Sequence, residues 1–237
     1  MAIAYNARIP TRDLLIYIDV ANKKCYSGSG STFNNLADYT NYASATFGGT
    51  TSYGTVSDNV IVLTGAGSST TTGAYITGSG SIAETINADF TTIGWQKATS
   101  QYGEVMSYRQ ASFRLSFDVS GSNMHFYQRE TTNPFTTNST GVSTTNSLNT
   151  WYCYALVKSG TSYSFYKNGV LIGTNTFNIT ETLGSGTAWH IGAAWSDDDY
   201  LSSSGRGHYG PHMHYTTDLT AAEISQVFEA QRGRFGV

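Results

Sequence analysis

The sequence predicts an all-β protein, two antiparallel sheets packed as a jelly-roll sandwich with one short C-terminal helix. Aromatic and β-branched segments recur along the chain, separated by polar turns at intervals typical of a sandwich. Only 12% of the 237 residues are charged, whereas 25 are Gly and 17 are Tyr, which suits strands and tight turns better than long surface helices. The third observation is an uninterrupted β-meander between Trp151 and Gly173. Amphipathic helices do not alternate with the strands, so a parallel α/β sheet is excluded, and the length suits one undivided domain.

The meander is the clearest stretch. Trp151-Tyr152-Cys153-Tyr154-Ala155-Leu156-Val157 is aromatic or aliphatic throughout, Ser159-Gly160-Thr161-Ser162 breaks it, and Tyr163-Ser164-Phe165-Tyr166 resumes it. Asn168-Gly169 then tolerates the positive φ angles of a type I′ turn, which folds Val170-Leu171-Ile172 back on Phe165-Tyr166.

In chain order, Met1 to Arg12 has Pro10 and no hydrophobic period, which predicts an N-terminal arm over 1–12 and a sandwich domain over 13–237. Leu14 to Val20 reads as a strand covered on both faces, with Asp19 as a loop anchor accepting backbone N–H groups. Val60 to Leu63, Asp89 to Trp95, Glu104 to Arg109, Ser112 to Val119 and Met124 to Arg129 are further strands, the last two joined by a turn at Gly121-Ser122-Asn123. Asn133 to Asn149, nearly all Thr, Ser and Asn, reads as a solvent loop, and Ala188 to Trp195 as a strand. Thr220-Ala221-Ala222-Glu223 is a capping box; Ile224, Val227 and Phe228 follow on one helical face, and Gly233 is the expected stop.

A tryptophan opening one strand, followed after a turn by Phe165-Tyr166-Lys167-Asn168-Gly169-Val170, resembles the central hairpin of laminin G-like domains of the concanavalin A-like lectin and glucanase superfamily. Asp13 to Asn22 and Ser27 to Leu36 resemble the opening of laminin G-like proteins from tailed phages, especially cyanophages, and Tyr215 to Gly236 is similar to that family's ending. Phe33 stands where the family commonly has Trp, keeping the ring and losing the indole N–H. Between Leu63 and Ile76, Ser and Thr replace the family's usual acidic residues, which would have been candidate cation ligands.

The resemblance implies a concanavalin A-like jelly roll serving as a virion structural protein: a capsid decoration, fibre or tail-associated domain, made in the host cytoplasm and oligomeric on the particle. Its partners would be capsid or tail proteins and host-surface polysaccharide. A carbohydrate-binding module without a virion role is the alternative, and a glycoside hydrolase a further one. For glycan stacking the candidates are Trp195, Tyr200 and Tyr209; packing on half-exposed sheet faces competes for all three.

No catalytic constellation emerges. A glycosidase needs two carboxylates flanking the scissile bond, and Glu84, Glu104, Glu130 and Glu181 are scattered without a second acid on the same face. There is no Gly-x-Ser-x-Gly, and Cys153 sits in mid-strand. No cofactor is required, although Asp197-Asp198-Asp199 offers oxygen ligands for Ca²⁺. His208, His212 and His214 have a spacing that Zn²⁺ can use, but a packed role on the last strand is the stronger reading. The formal charge of −3, with no basic run, excludes a nucleic-acid footprint, and the sequence shows no membrane-length apolar stretch or signal sequence. Cys25 and Cys153 do not make a disulfide framework.

Overall fold

Two eight-stranded antiparallel sheets face each other, and one helix covers the outer face of the first. The computed structural model describes residues 8–37, 44–64, 73–78, 87–99, 102–110, 113–130, 137–178, 188–192, 194–195, 201–202 and 206–237. In chain order the strands are β1 (Leu14–Ile18), β2 (Thr32–Asn34), β3 (Ser44–Gly49), β4 (Gly54–Ser57), β5 (Val60–Leu63), β6 (Ala74–Gly78), β7 (Phe90–Ala98), β8 (Tyr102–Gln110) and β9 (Phe113–Ser120). They continue as β10 (Asn123–Glu130), β11 (Thr137–Ser143), β12 (Tyr152–Ser159), β13 (Ser162–Lys167), β14 (Val170–Thr176), β15 (Ala188–Ile191), β16 (Ala194–Trp195), β17 (Leu201–Ser202) and β18 (Gly207–Tyr215). The helix α1 spans Ala221–Gln231.

The first sheet runs β14-β13-β12-β7-β18-β5-β4, with β1 also paired to β18; the second runs β11-β10-β9-β8-β15-β6-β3-β2. Strand β18 hands over between neighbours on one edge: Gly207 to Tyr209 pair with β5, and His212 to Tyr215 with β1. Pro211 lies at the break between them, where the register with β7 also shifts between Tyr209 and His212. A residue without an N–H fits such a bulge and would spoil a regular ladder.

Alternation along β7 divides the interior into two cores. Phe90 points between the sheets, toward Tyr108, Phe117, Phe126 and Trp189, whereas Ile93 and Trp95 point outward to meet Ile224, Val227 and Phe228 of α1. Each fully buried aliphatic side chain in such a core contributes about 1.5–3 kcal/mol. The capping box forms as the sequence predicts, with Thr220 Oγ1 accepting from the Glu223 N–H and Glu223 Oε2 accepting from the Thr220 N–H at 2.8 Å.

Several boundaries differ from the sequence reading. Residues 137–143 form β11, an edge strand paired to β10, rather than a loop. Its Thr, Ser and Asn suit an edge exposed to water, where Thr140 alone of the strand's described side chains is buried. The helix ends at Gln231 in a 3₁₀ turn over Arg232–Arg234, and Gly233 is not left-handed. Of the predicted arm, the described part contacts the domain: Ile9 packs in the helix core, Pro10 O accepts from Tyr215 OH at 3.1 Å, and Arg12 pairs with Glu223 at 3.1 Å, while residues 1–7 lie outside the described residues. Cys25 lies between the sheets and Cys153 under the helix, so the two free thiols sit in different cores and cannot bridge.

Asn168 and Gly169 have φ of 51° and 76°, as a type I′ turn requires. Asn168 does more than tolerate that angle, because its Oδ1 accepts from the Cys153 N–H at 2.9 Å. A Cβ at Gly169 would lie 3.1 Å from Phe228 Cβ. Gly169→Val is expected to lose on the order of 1–3 kcal/mol in urea denaturation, through backbone strain and displacement of α1. Asn168→Gly keeps the angle, loses the stitch to β12, and should cost about 1 kcal/mol. Parental stability of both variants would refute the turn's structural role.

Candidate functional site

The side chains that line the candidate site come from the ends of three adjacent strands. Lys97 at the end of β7 is in register with His208 at the start of β18, and Trp151 immediately precedes β12. In this register odd-numbered β7 residues face outward, so Lys97 follows Ile93 and Trp95 onto the face that α1 covers. The helix stops short of it. Its terminal turn brings Arg234 and Phe235 across as one wall, and the β4–β5 turn supplies Asp58, Asn59 and Val60 as the other. The result is an open cleft of about 310 Å³.

Its geometry is tightly supported from below. Phe235 stacks on Trp95 at 4.2 Å and contacts Trp151 at 4.5 Å between ring centroids. Gly210 lets Phe235 in, since a Cβ there would lie 2.7 Å from the phenyl ring. Arg234 donates to both oxygens of Asp19, at 2.7 and 3.1 Å, which ties the C-terminal wall to the end of β1; Asp19 also accepts from the Ala21 N–H, as the loop-anchor reading predicts. The Lys97 ammonium lies 5.5 Å from the Trp151 ring centroid, an electrostatic contact with the indole face. His208 is held below its ordinary pKa by burial, then by Lys97, with Asp58 acting in the opposite sense. The cleft thus offers an aromatic floor, fixed donors and a polar rim.

The residues singled out from sequence fare differently. Tyr209 is fully buried between the sheets, its hydroxyl accepting from Gln96 Nε2 at 3.1 Å, so it presents no ring to a sugar. It belongs to the inner face because β18 alternates, and its neighbour His208 takes the outer position. Trp195 pairs through its backbone with Leu201 in the β16–β17 ribbon, its ring lying outside the described residues, as do Asp197, Asp198, Asp199 and Tyr200. Sequence reasoning placed Trp151 in a structural hairpin and gave Lys97 no role. The sequence carries no signal that joins them, because cross-strand register alone brings Lys97, Trp151 and His208 together.

His212 and His214 do share a face, but it is the inner one. His214 Nδ1 lies 2.9 Å from Thr92 Oγ1 and 3.0 Å from Tyr108 OH, and His212 Nδ1 lies 3.0 Å from Gly210 O. Among the described residues no cluster of three or more His, Cys, Asp or Glu side chains is arranged to hold a metal ion. Burial pushes Cys153 well above the ordinary thiol range, leaving an inert thiol.

The fold that carries this cleft is a two-sheet jelly roll. Residues 67–225 match the laminin G family of the concanavalin A-like lectin/glucanases superfamily, and the chain belongs to that superfamily. No curated protein matches the sequence. Among solved structures it is similar to the binding domain of botulinum neurotoxin DC in complex with rat synaptotagmin II, with a TM-score of 0.64 and 10% identity over 92% of this chain and 52% of that one. The same neurotoxin's binding domain in complex with SialylT gives a TM-score of 0.62 and 9% identity over 92% and 51%. Trypanosoma rangeli sialidase in complex with sialic acid gives 0.62 and 16% over 96% of this chain and 34% of that one. The chain spans about half the length of the neurotoxin chains, and at these identities the likeness establishes the fold.

The buried histidines give the fold a pH dependence. Burial lowers His212 to about 4 and His214 to about 3, against 6.5 when exposed. Between those values the unfolded chain binds more protons than the folded one, so their contribution is complete above about pH 6.5 and is lost as pH falls. Unfolding free energies from urea titrations should be level from about pH 8 to 7 and then decline by up to about 1.4 kcal/mol per pH unit per histidine. His214→Asn should flatten its share between about pH 6.5 and 5, above the range of ordinary carboxylates.

Proposed function

We propose that the protein is a non-catalytic glycan-recognition domain carried on the particle of a tailed phage, as a capsid decoration, fibre or tail-associated component. The observation that carries the recognition reading is the cleft floored by Trp151, where an indole meets polar groups from Lys97, His208 and Asn59. Sugars are bound by this combination, C–H bonds packing on an aromatic ring while hydroxyls find fixed hydrogen-bond partners. The phage reading is supported by the resemblance of Asp13 to Asn22, Ser27 to Leu36 and Tyr215 to Gly236 to cyanophage laminin G-like proteins. These flanking segments close on one another through the pairing of β1 with β18 and of Asp19 with Arg234. Capsid or tail proteins are the proposed partners on the particle, where the domain would be oligomeric, and host-surface polysaccharide is the proposed ligand.

A hydrolytic role finds less support: Glu104 is buried, receiving a hydrogen bond from Tyr127 at 3.3 Å, and is withdrawn from the cleft's surface. Trp195 and Tyr200 remain proposed as additional sugar contacts, with Ca²⁺ on Asp197-Asp198-Asp199 as the cation of that loop.

Two measurements separate the parts of the proposal. On a glycan array, Trp151→Ala should lose about tenfold or more in affinity while its unfolding transition stays cooperative, a loss of about 1.4 kcal/mol. Unaltered binding by that variant would move the site away from the cleft. Mass spectrometry of purified particles should find the chain at a stoichiometric ratio to capsid or tail proteins. Its absence there, with glycan binding intact, would make it a carbohydrate-binding module without a virion role.

A further inference from the structure

If the cleft is a glycan site, its charges specify the class of glycan. We propose that it selects acidic saccharides, with Lys97 as the counter-ion of a ligand carboxylate and His208 as a neighbouring hydrogen-bonding group. The basis is the different state of the two cations that line it. Arg234 is already committed, both of its terminal nitrogens donating to Asp19. The Lys97 ammonium has no ion pair or hydrogen bond among the described residues and lies at the face of Trp151. An ammonium held at an aromatic face beside an open cleft can turn to an incoming carboxylate and leave the indole to the ring of the sugar.

His208 stands beside Lys97 in the β7–β18 register, and its Nδ1 is buried without a hydrogen-bond partner. The imidazole lines the cleft next to the ammonium, so one ligand can meet both groups. Asp58 opposes this arrangement from the other wall. It is solvent-exposed, receives a hydrogen bond from Ser57 Oγ at 3.3 Å, and is screened by water and salt. It therefore supplies a control in the direction opposite to Lys97.

The test is titration calorimetry of the full chain with two matched pairs: tetragalacturonate against its methyl ester, and 3′-sialyllactose against lactose. At least one acidic member is expected to bind about tenfold more tightly than its neutral counterpart, as for a charge-assisted hydrogen bond. Raising salt from about 0.05 to 0.5 M should narrow the difference. Lys97→Gln should bring the ratio close to one by weakening the acidic member far more than the neutral one, and Asp58→Asn should widen it. Equal binding of both members by the parent, or a preference that survives Lys97→Gln, would overturn the acidic selectivity. Either result leaves the glycan site standing so long as Trp151→Ala still abolishes binding. No binding of any of the four saccharides at about 10 mM, a level at which even very weak complexes form, would overturn both.

Discussion

The structure depends on β7 being buried on both faces. A strand in that position must satisfy two different partners with one alternating sequence, and Phe90 to Gln96 does so without an exposed residue. On the inner side it carries Phe90, Thr92 and Gln96; on the outer side Thr91, Ile93 and Trp95. The outer face is apolar enough that it requires a cover, and α1 supplies one. Trp95 anchors the cover: Phe228 and Phe235 stack on its ring, and its indole N–H donates to Gln231 Oε1 at 2.6 Å. Within an apolar layer such a bond is directional in a way that packing is not, since leaving the indole N–H unpaired costs its full desolvation. It fixes the axial position of the helix, and with it the point at which cover gives way to cleft.

The inner face uses the same device. Thr92, Tyr108 and His214 come from β7, β8 and β18, so this buried cluster joins two strands of one sheet to a strand of the other. The separation of Thr92 Oγ1 from Tyr108 OH is 2.5 Å. Hydrophobic contact alone tolerates sliding of one sheet over the other, whereas these bonds are made at one offset only. Gly94 contributes by absence, since a Cβ there would lie 2.6 Å from His212 Nε2 and 2.7 Å from Val105 Cγ1. Small residues and paired polar groups therefore set how the sheets meet, while the aromatic side chains supply most of the buried area.

This division explains what could be read from the sequence. Type and approximate position of the major strands, the Asn168-Gly169 turn and the capped helix follow from local chemistry, in periodicity, positive φ and side-chain capping, and each formed where predicted. The polar edge strand β11 was misread because Thr137-Asn138-Ser139-Thr140-Gly141 has no apolar alternation to distinguish an edge from a loop; the partner strand decides it. Tyr209, a candidate for stacking on a sugar, faces inward because Gly210 and Pro211 introduce a bulge, so that alternation counted from Tyr215 gives a different parity. One residue of slip exchanges every inward and outward side chain. The cleft was illegible for a related reason: Lys97, Trp151, His208 and Phe235 belong to four separated segments, and only cross-strand register places them together.

That register also places a separated ammonium inside a weakly acidic protein. A formal charge of −3 spread over 237 residues gives no long-range attraction for an anion, and at physiological salt fields from distant carboxylates fade over about 8 Å. What a ligand meets is set by the few groups within that distance. There, Asp19 neutralises Arg234 by a bidentate pair, and Lys97 is left facing an indole instead of a carboxylate. The pairing of Asp19 is thus structural and electrostatic at once: it holds the C-terminal wall in place, and it neutralises one of the two cations that line the cleft. A single unpaired ammonium over an aromatic ring differs from a basic patch, because its charge and the apolar ring act on the same few ångströms of surface.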